Sequence, residues 1–246
     1  MCTLVLRRDP AAAWPLLLAA NRDELRGRPA RPPARHWPDR PQVRAGLDLE
    51  AGGRWLALND DGVVAAVLNR RGTLGPQPGK RSRGELVLEA LDHAEAHTAA
   101  EALRALDPTA WRPFNLIVAD AAAAFWLRHA GDGYISVQPI EEGLHMIEAG
   151  ELDDPASARI GRFLPQFRFV PQPDPAAGDW SGWETLLAER TARTGDPRNA
   201  MCIVTEGEYG TVSSALIALP PHVTEPAVYL HAEGRPGEAA FAPVPA

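Results

Sequence analysis

The chain has 246 residues, 45% hydrophobic and 23% charged, with a formal net charge of −7. These values suit a folding chain with a sizeable core, and the acidic balance argues against a nucleic-acid binder. No stretch approaches the ~20 apolar residues of a membrane span, and two widely separated cysteines, Cys2 and Cys202, form no disulfide framework, so a cytoplasmic protein is expected.

Cys2 leads directly into Thr3-Leu4-Val5-Leu6, a strand pattern. Methionine before a small residue is normally removed, so Cys2 is expected to become the first residue. A terminal cysteine carries a thiol and a primary amine, and the amine titrates near pH 8, so it can take the thiol's proton. One residue then supplies nucleophile and base. The plainer alternative is a small apolar residue opening a buried strand. Arg7-Arg8 ahead of the apolar run Ala11 to Ala20 resembles a leader peptide. However, Asp9-Pro10 interrupts it and Leu4-Val5-Leu6 stands where a basic segment belongs, so no cleavage there is expected.

Leu16 to Ala20 reads as a second strand, followed by Asn21-Arg22-Asp23-Glu24 at its exit. If the two strands form a hairpin, this polar run returns beside Cys2. A carboxylate there would hold the amine, and a guanidinium would favour the thiolate. Asn21 and Glu24 are expected to contact substrate. The arginines from Arg22 to Arg44, broken repeatedly by proline, read as a solvated loop facing an anionic partner. Arg54 to Leu58 and Val63 to Leu68 form a hairpin around Asn59-Asp60-Asp61-Gly62, and Asn69 at its end can donate to a developing oxyanion.

Ser82-Arg83-Gly84-Glu85 is a capping box opening a helix, and a second helix spans Thr98 to Leu106. His93 and His97, four apart, read as a polar helix face rather than a metal pair. Strands are expected at Asn115 to Ala119, Phe125 to Leu127, Tyr134 to Val137, Gly143 to Met146 and Met201 to Val204. Helices are expected at Ala156 to Phe163 and Trp183 to Arg193, with a frayed tail after Gly234. No Rossmann fingerprint, phosphate loop or metal motif is present, so no cofactor is expected. Continuous apolar strands need cover on both faces. The resulting fold class is α/β (α+β) in a single domain over 1–246, with stacked sheets and outer helices in four layers.

Met1-Cys2-Thr3-Leu4, Leu18-Ala19-Ala20-Asn21-Arg22-Asp23-Glu24 and the block from Asp48 to Leu56 together resemble the NRDE family, also called transport and Golgi organisation 2-like. Arg81 to Leu86, Phe114 to Val118 and Tyr209-Gly210-Thr211 extend the resemblance over most of the chain. That family is similar to the N-terminal-nucleophile hydrolases, of the cholylglycine hydrolase and penicillin acylase branch. The resemblance implies a four-layer αββα sandwich in which Cys2 is the nucleophile. Arg22 and Asp23 would flank the amine, although the branch spaces this pair differently, and Asn69 would take an oxyanion-hole position. The implied reaction is hydrolysis of a linear amide of a small or acylated substrate through an acyl-thioester. Two departures stand out. Relatives carry Ser-Asn where this chain has Ile147-Glu148-Ala149-Gly150, and arginine where it has Val212. Loss of one oxyanion donor costs a factor of roughly 10² to 10³ in rate. The rival implication is therefore a weakened relative that keeps its pocket for binding, in lipid or haem handling or trafficking.

Overall fold

The computed structural model of the chain describes residues 2–245; Met1, and with it the expected removal of that residue, lies outside the described residues. In chain order the strands and helices begin with β1 (Thr3–Arg8), β2 (Leu16–Leu25), β3 (Ala30–Ala34), β4 (Val43–Asp48), β5 (Leu56–Asn59) and β6 (Val64–Asn69). Helices α1 (Gly84–Ala90) and α2 (Ala96–Arg104) precede β7 (Phe114–Ala119), β8 (Ala124–His129), β9 (Ser136–Pro139) and β10 (Gly143–Ile147). Helices α3 (Ala158–Phe169) and α4 (Ser181–Leu187) lead to β11 (Tyr209–Leu219), β12 (Val228–Ala232) and β13 (Ala242–Pro243). Among the described residues no helix is long and apolar enough to cross a membrane.

The chain gathers into two units. The first takes the segment ending at Arg28, Glu142–Ala218 and Ala227–Pro243, and holds a six-stranded sheet in the order β10-β1-β2-β11-β12-β13. The expected hairpin is there, since β1 and β2 pair antiparallel from Arg8↔Leu16 to Thr3↔Asn21. One face of this sheet carries Val5, Leu17, Ala19, Met146, Leu216 and Ala218. These pack under Ile160, Phe163 and Phe167 of α3 and Trp183, Leu186 and Leu187 of α4. Period-2 alternation in the strands and 3.6-residue spacing in the helices place these side chains on facing surfaces.

The second unit takes Pro29–Glu141 and Leu219–Pro226 and holds a seven-stranded antiparallel meander in chain order, β3 to β9. Leu86, Val87 and Leu91 of the α1 region and Ala99, Ala100 and Leu103 of α2 cover its Val43, Ala57, Ala65, Leu116, Val118 and Leu127. Half of the capping box forms. Glu85 Oε1 accepts from the Ser82 amide at 3.1 Å, while no side chain caps the helix start.

Several expectations need correction. The Asn21 to Glu24 run does not lie at the exit of a strand that ends at Ala20 but continues β2, which runs to Leu25 between β1 and β11 in the sheet. Met201 to Val204, buried through Ile203, is not a strand; it is tied instead by Cys202 N–H to Glu189 O and Ile203 N–H to Thr211 Oγ1. His93 follows α1 while His97 lies in α2, so the pair shares no helix face. The arginine-rich stretch is not all loop, since it contributes β3 and β4, and Arg35 and Arg40 are engaged by Asp60 and Asp92, each at 2.8 Å. The tail after Gly234 includes β13, paired with β12.

Candidate functional site

The β1·β2 register fixes the site. Thr3 stands opposite Asn21, so one further step sets Cys2 opposite Arg22. Directly opposed residues of an antiparallel pair share a face. Thr3, Asn21 and Asp23 therefore point to the face covered by α3 and α4, and Cys2 and Arg22 to the other face. Asp23 lies just beyond the Cys2 backbone nitrogen. The structure thus brings together three of the four expected catalytic residues. Asn69, the fourth, ends β6 in the second unit, where its side-chain amide makes no hydrogen bond among the described residues.

Asp23 is buried, and its Oδ1 accepts from Thr211 Oγ1 at 2.6 Å. Its Oδ2 lies 3.6 Å from Arg159 Nη1, and both side chains are wholly buried. Burial pushes the Asp23 carboxyl above the usual carboxylate range, against the opposing pull of the Arg159 guanidinium and the Thr211 hydroxyl. Burial likewise raises the Cys2 thiol, and the Asp23 charge adds to this. The Asp23 backbone N–H and the Arg22 guanidinium favour the thiolate instead. Sequence reasoning could identify these opposing neighbours but not that desolvation outweighs them.

Asn21, expected as a substrate contact, is a framework residue. Its Nδ2 donates to Leu187 O at 3.0 Å and Met201 O at 2.9 Å, its Oδ1 accepts from Ser214 Oγ at 2.7 Å, and it has no exposed surface. Glu24 shares the Cys2 face by alternation and sits 3.9 Å from both Arg22 Nη2 and Arg28 Nε. His231 on β12 stands opposite Ala215 of β11, and its pKa falls to about 4 through burial, with the charge of Arg22 adding to the effect.

Sequence reasoning missed the cluster under the start of β1. Arg159 Nη1 donates to Thr3 Oγ1 and also lies 3.6 Å from Glu148 Oε2, while Arg159 Nη2 donates to Arg198 O. Glu148 Oε1 accepts from Ser157 Oγ at 2.6 Å, and Ser157 caps α3 by accepting from Ile160 N–H at 3.1 Å. The available signal was an arginine on the apolar face of a helix, Arg159 beside Ile160 and Phe163. Among the described residues no cluster of His, Cys, Asp and Glu is suited to a metal ion.

Comparison with known proteins bears on this geometry. The family model described as "Transport and Golgi organisation 2" matches residues 1–163. The "Transport and Golgi organization protein 2 homolog" of Bos taurus is 36% identical over 132 residues, covering 50% of this chain and 46% of that protein. The Homo sapiens homolog is 35% identical over 133 residues, covering 50% and 47%. In each case the chain spans about half the length of the curated relative it matches. Among solved structures, the Caenorhabditis elegans ortholog of N-acylethanolamine-hydrolyzing acid amidase aligns with a TM-score of 0.61 at 13% identity, covering 89% of this chain and 93% of that one. Penicillin V acylase from Agrobacterium tumefaciens aligns with a TM-score of 0.53 at 14% identity, covering 98% and 84%. A variant of conjugated bile acid hydrolase from Clostridium perfringens aligns with a TM-score of 0.55 at 13% identity, covering 94% and 89%. At these identities the likeness shows the fold, which is that of the N-terminal-nucleophile hydrolases.

Proposed function

The chain belongs to the Transport and Golgi organisation 2 family, and from that premise we propose that it is a cysteine hydrolase of the N-terminal-nucleophile type, cleaving a linear amide of a small or acylated substrate. The observation that carries this reading is the placement of Asp23 beyond the Cys2 nitrogen, with Arg22 across the strand from the thiol. Once Met1 is removed, the Cys2 amine takes the thiol proton and Sγ attacks the carbonyl carbon. Asp23 orients the resulting ammonium. Collapse of the tetrahedral species breaks the C–N bond, and the ammonium gives its proton to the departing nitrogen. Water, deprotonated by the freed amine, then hydrolyses the acyl-thioester and regenerates the thiol.

A second reading, a binding protein that keeps the pocket with little turnover, is favoured by Ala149, which offers no side-chain donor where relatives carry asparagine. One test separates the two. Protein shown by intact mass to lack Met1 is assayed against a panel of N-acyl compounds beside Cys2→Ser. The hydrolase reading expects turnover that Cys2→Ser abolishes. Ligand binding without turnover, equal in both proteins, supports the second reading, and a retained Met1 removes the first.

A further inference from the structure

We propose that Arg159 is a positioning residue for the amino-terminal nucleophile, acting through Asp23 and Thr3. This inference rests on the hydrolase reading above and adds to it a residue from outside the β1·β2 hairpin. The geometry is specific. Arg159 leaves the first turn of α3, wholly buried, and reaches the start of β1. There one nitrogen serves Thr3 Oγ1 and lies 3.6 Å from carboxylate oxygens of both Asp23 and Glu148. Its other terminal nitrogen is fixed on Arg198 O. The helix start that carries it is pinned in turn, because Ser157 both caps α3 and donates to Glu148 Oε1. The stretch that lacks the oxyanion asparagine at Ala149 thus supplies, one residue earlier, the carboxylate that anchors this guanidinium.

Three consequences follow from elementary electrostatics. A buried carboxylate left alone takes up a proton and then no longer attracts an ammonium; a guanidinium beside it opposes that effect of burial and favours the ionised form. Arg159 therefore preserves the Asp23 charge that orients the Cys2 amine. Its bond to Thr3 fixes the residue next to the nucleophile, so the thiol and amine keep one geometry. Glu148 divides the guanidinium between two carboxylates and so limits its pull on Asp23. The groups facing Asp23 are Arg159 from α3, Glu148 after β10, Cys2 from β1, Arg22 on its own strand, Thr211 and Tyr209 from β11, and Cys202. Of these, Arg159 brings a cation within 3.6 Å of the carboxylate.

The test follows alkylation of Cys2 by iodoacetamide against pH in the Met-processed protein, with peptide mass mapping to separate Cys2 from Cys202. Arg159→Met lets Asp23 take up a proton, so the Cys2 ammonium loses its counter-charge and no longer favours the thiolate; because amine and thiol sit on one residue, this outweighs the relief of the repulsion between Asp23 and the thiolate. Cys2 alkylation at pH 7 is expected to slow about tenfold, and the acid limb of the profile to move alkaline by about one unit. Arg159→Lys, which keeps the charge, should recover most of both effects. In an Asp23→Asn background the Arg159→Met change should shrink below about twofold, because the residue it acts through is gone. Should Arg159→Met fail to fold, Glu148→Gln decides instead. It frees the guanidinium for Asp23, and the acid limb should move in the acid direction. A wild-type profile in Arg159→Met, an undiminished effect in the Asp23→Asn background, or an alkaline shift in Glu148→Gln overturns the inference. If wild-type Cys2 reacts no faster than Cys202, the hydrolase reading itself fails, independently of the variants.

Discussion

Thr211 and Asp23 are joined by a 2.6 Å hydrogen bond in which the hydroxyl donates to a buried carboxylate, and the same hydroxyl accepts from Ile203 N–H at 2.7 Å. One side chain thus links the candidate catalytic aspartate to the buried 201–203 segment, in which no regular strand forms. Replacing it with the isosteric valine strands both partners. A lost bond to a charged group is worth roughly 1.5–3 kcal/mol and an orphaned buried amide roughly 1–3. Thr211→Val is therefore expected to lower unfolding stability by about 2–4 kcal/mol, and Thr211→Ser by less than about 1. Urea midpoints at constant m value measure both. A Thr211→Val protein as stable as wild type would show that the bond adds nothing to the fold.

Asn21 joins β2 to the end of α4, to the 201–203 segment and to β11 through three hydrogen bonds, all buried. Asn21→Leu removes them and leaves two carbonyls and a hydroxyl to find other partners. The expected loss is about 3 kcal/mol of stability, with Ser214→Ala costing about 1. A substrate contact would behave otherwise, keeping the unfolding midpoint and raising KM once a substrate is known.

The sequence made the scaffold largely legible wherever apolar residues recur with a clear period. Leu4-Val5-Leu6, Val63 to Leu68 and Asn115 to Ala119 became β1, β6 and β7 with small boundary shifts. Where polar residues continue a strand, the pattern fails. Asn21 to Glu24 stays in β2, and Gly210 to Ser214 opens the long β11, because backbone pairing with neighbours outweighs the residues' own turn preference. Helix α3 runs on past Phe163 through Pro165, with Phe167 packed into the core. The placement of Cys2, Arg22 and Asp23 near one another was readable because it follows from strand register over a few residues. Arg159 was not, because its meaning depends on contacts 136 and 156 positions away, at Asp23 and Thr3.

Gly84, the first residue of α1, crosses the Gly53-Arg54 backbone closely enough that a methyl group has no room. An added Cβ would lie 2.6 Å from both Arg54 N and Gly53 Cα. Alanine favours a helix over glycine by about 1 kcal/mol, so propensity alone predicts that Gly84→Ala stabilises. Steric overlap with backbone, which cannot rotate aside, is expected to win and cost about 1–3 kcal/mol net. Thermal unfolding of the variant decides the sign, and a raised Tm would mean that the α1 start shifts freely.

His231 supplies a pH dependence of definite sign. Its folded pKa falls to about 4 from an ordinary 6.5, first because burial penalises the imidazolium and then because Arg22 repels it, against a hydrogen bond that the ring donates to the Ser214 backbone carbonyl. Between those two values the unfolded chain binds a proton that the folded chain does not, so unfolding gains free energy as the pH drops. The contribution of His231 is complete above about 6.5 and is lost as the pH falls toward 4, with a total on the order of 3 kcal/mol. His231→Gln cannot titrate, so its urea midpoint should fall less steeply than that of wild type between pH 7 and pH 4. Parallel midpoint curves for the two proteins across that range would mean that His231 titrates alike in the folded and unfolded chains.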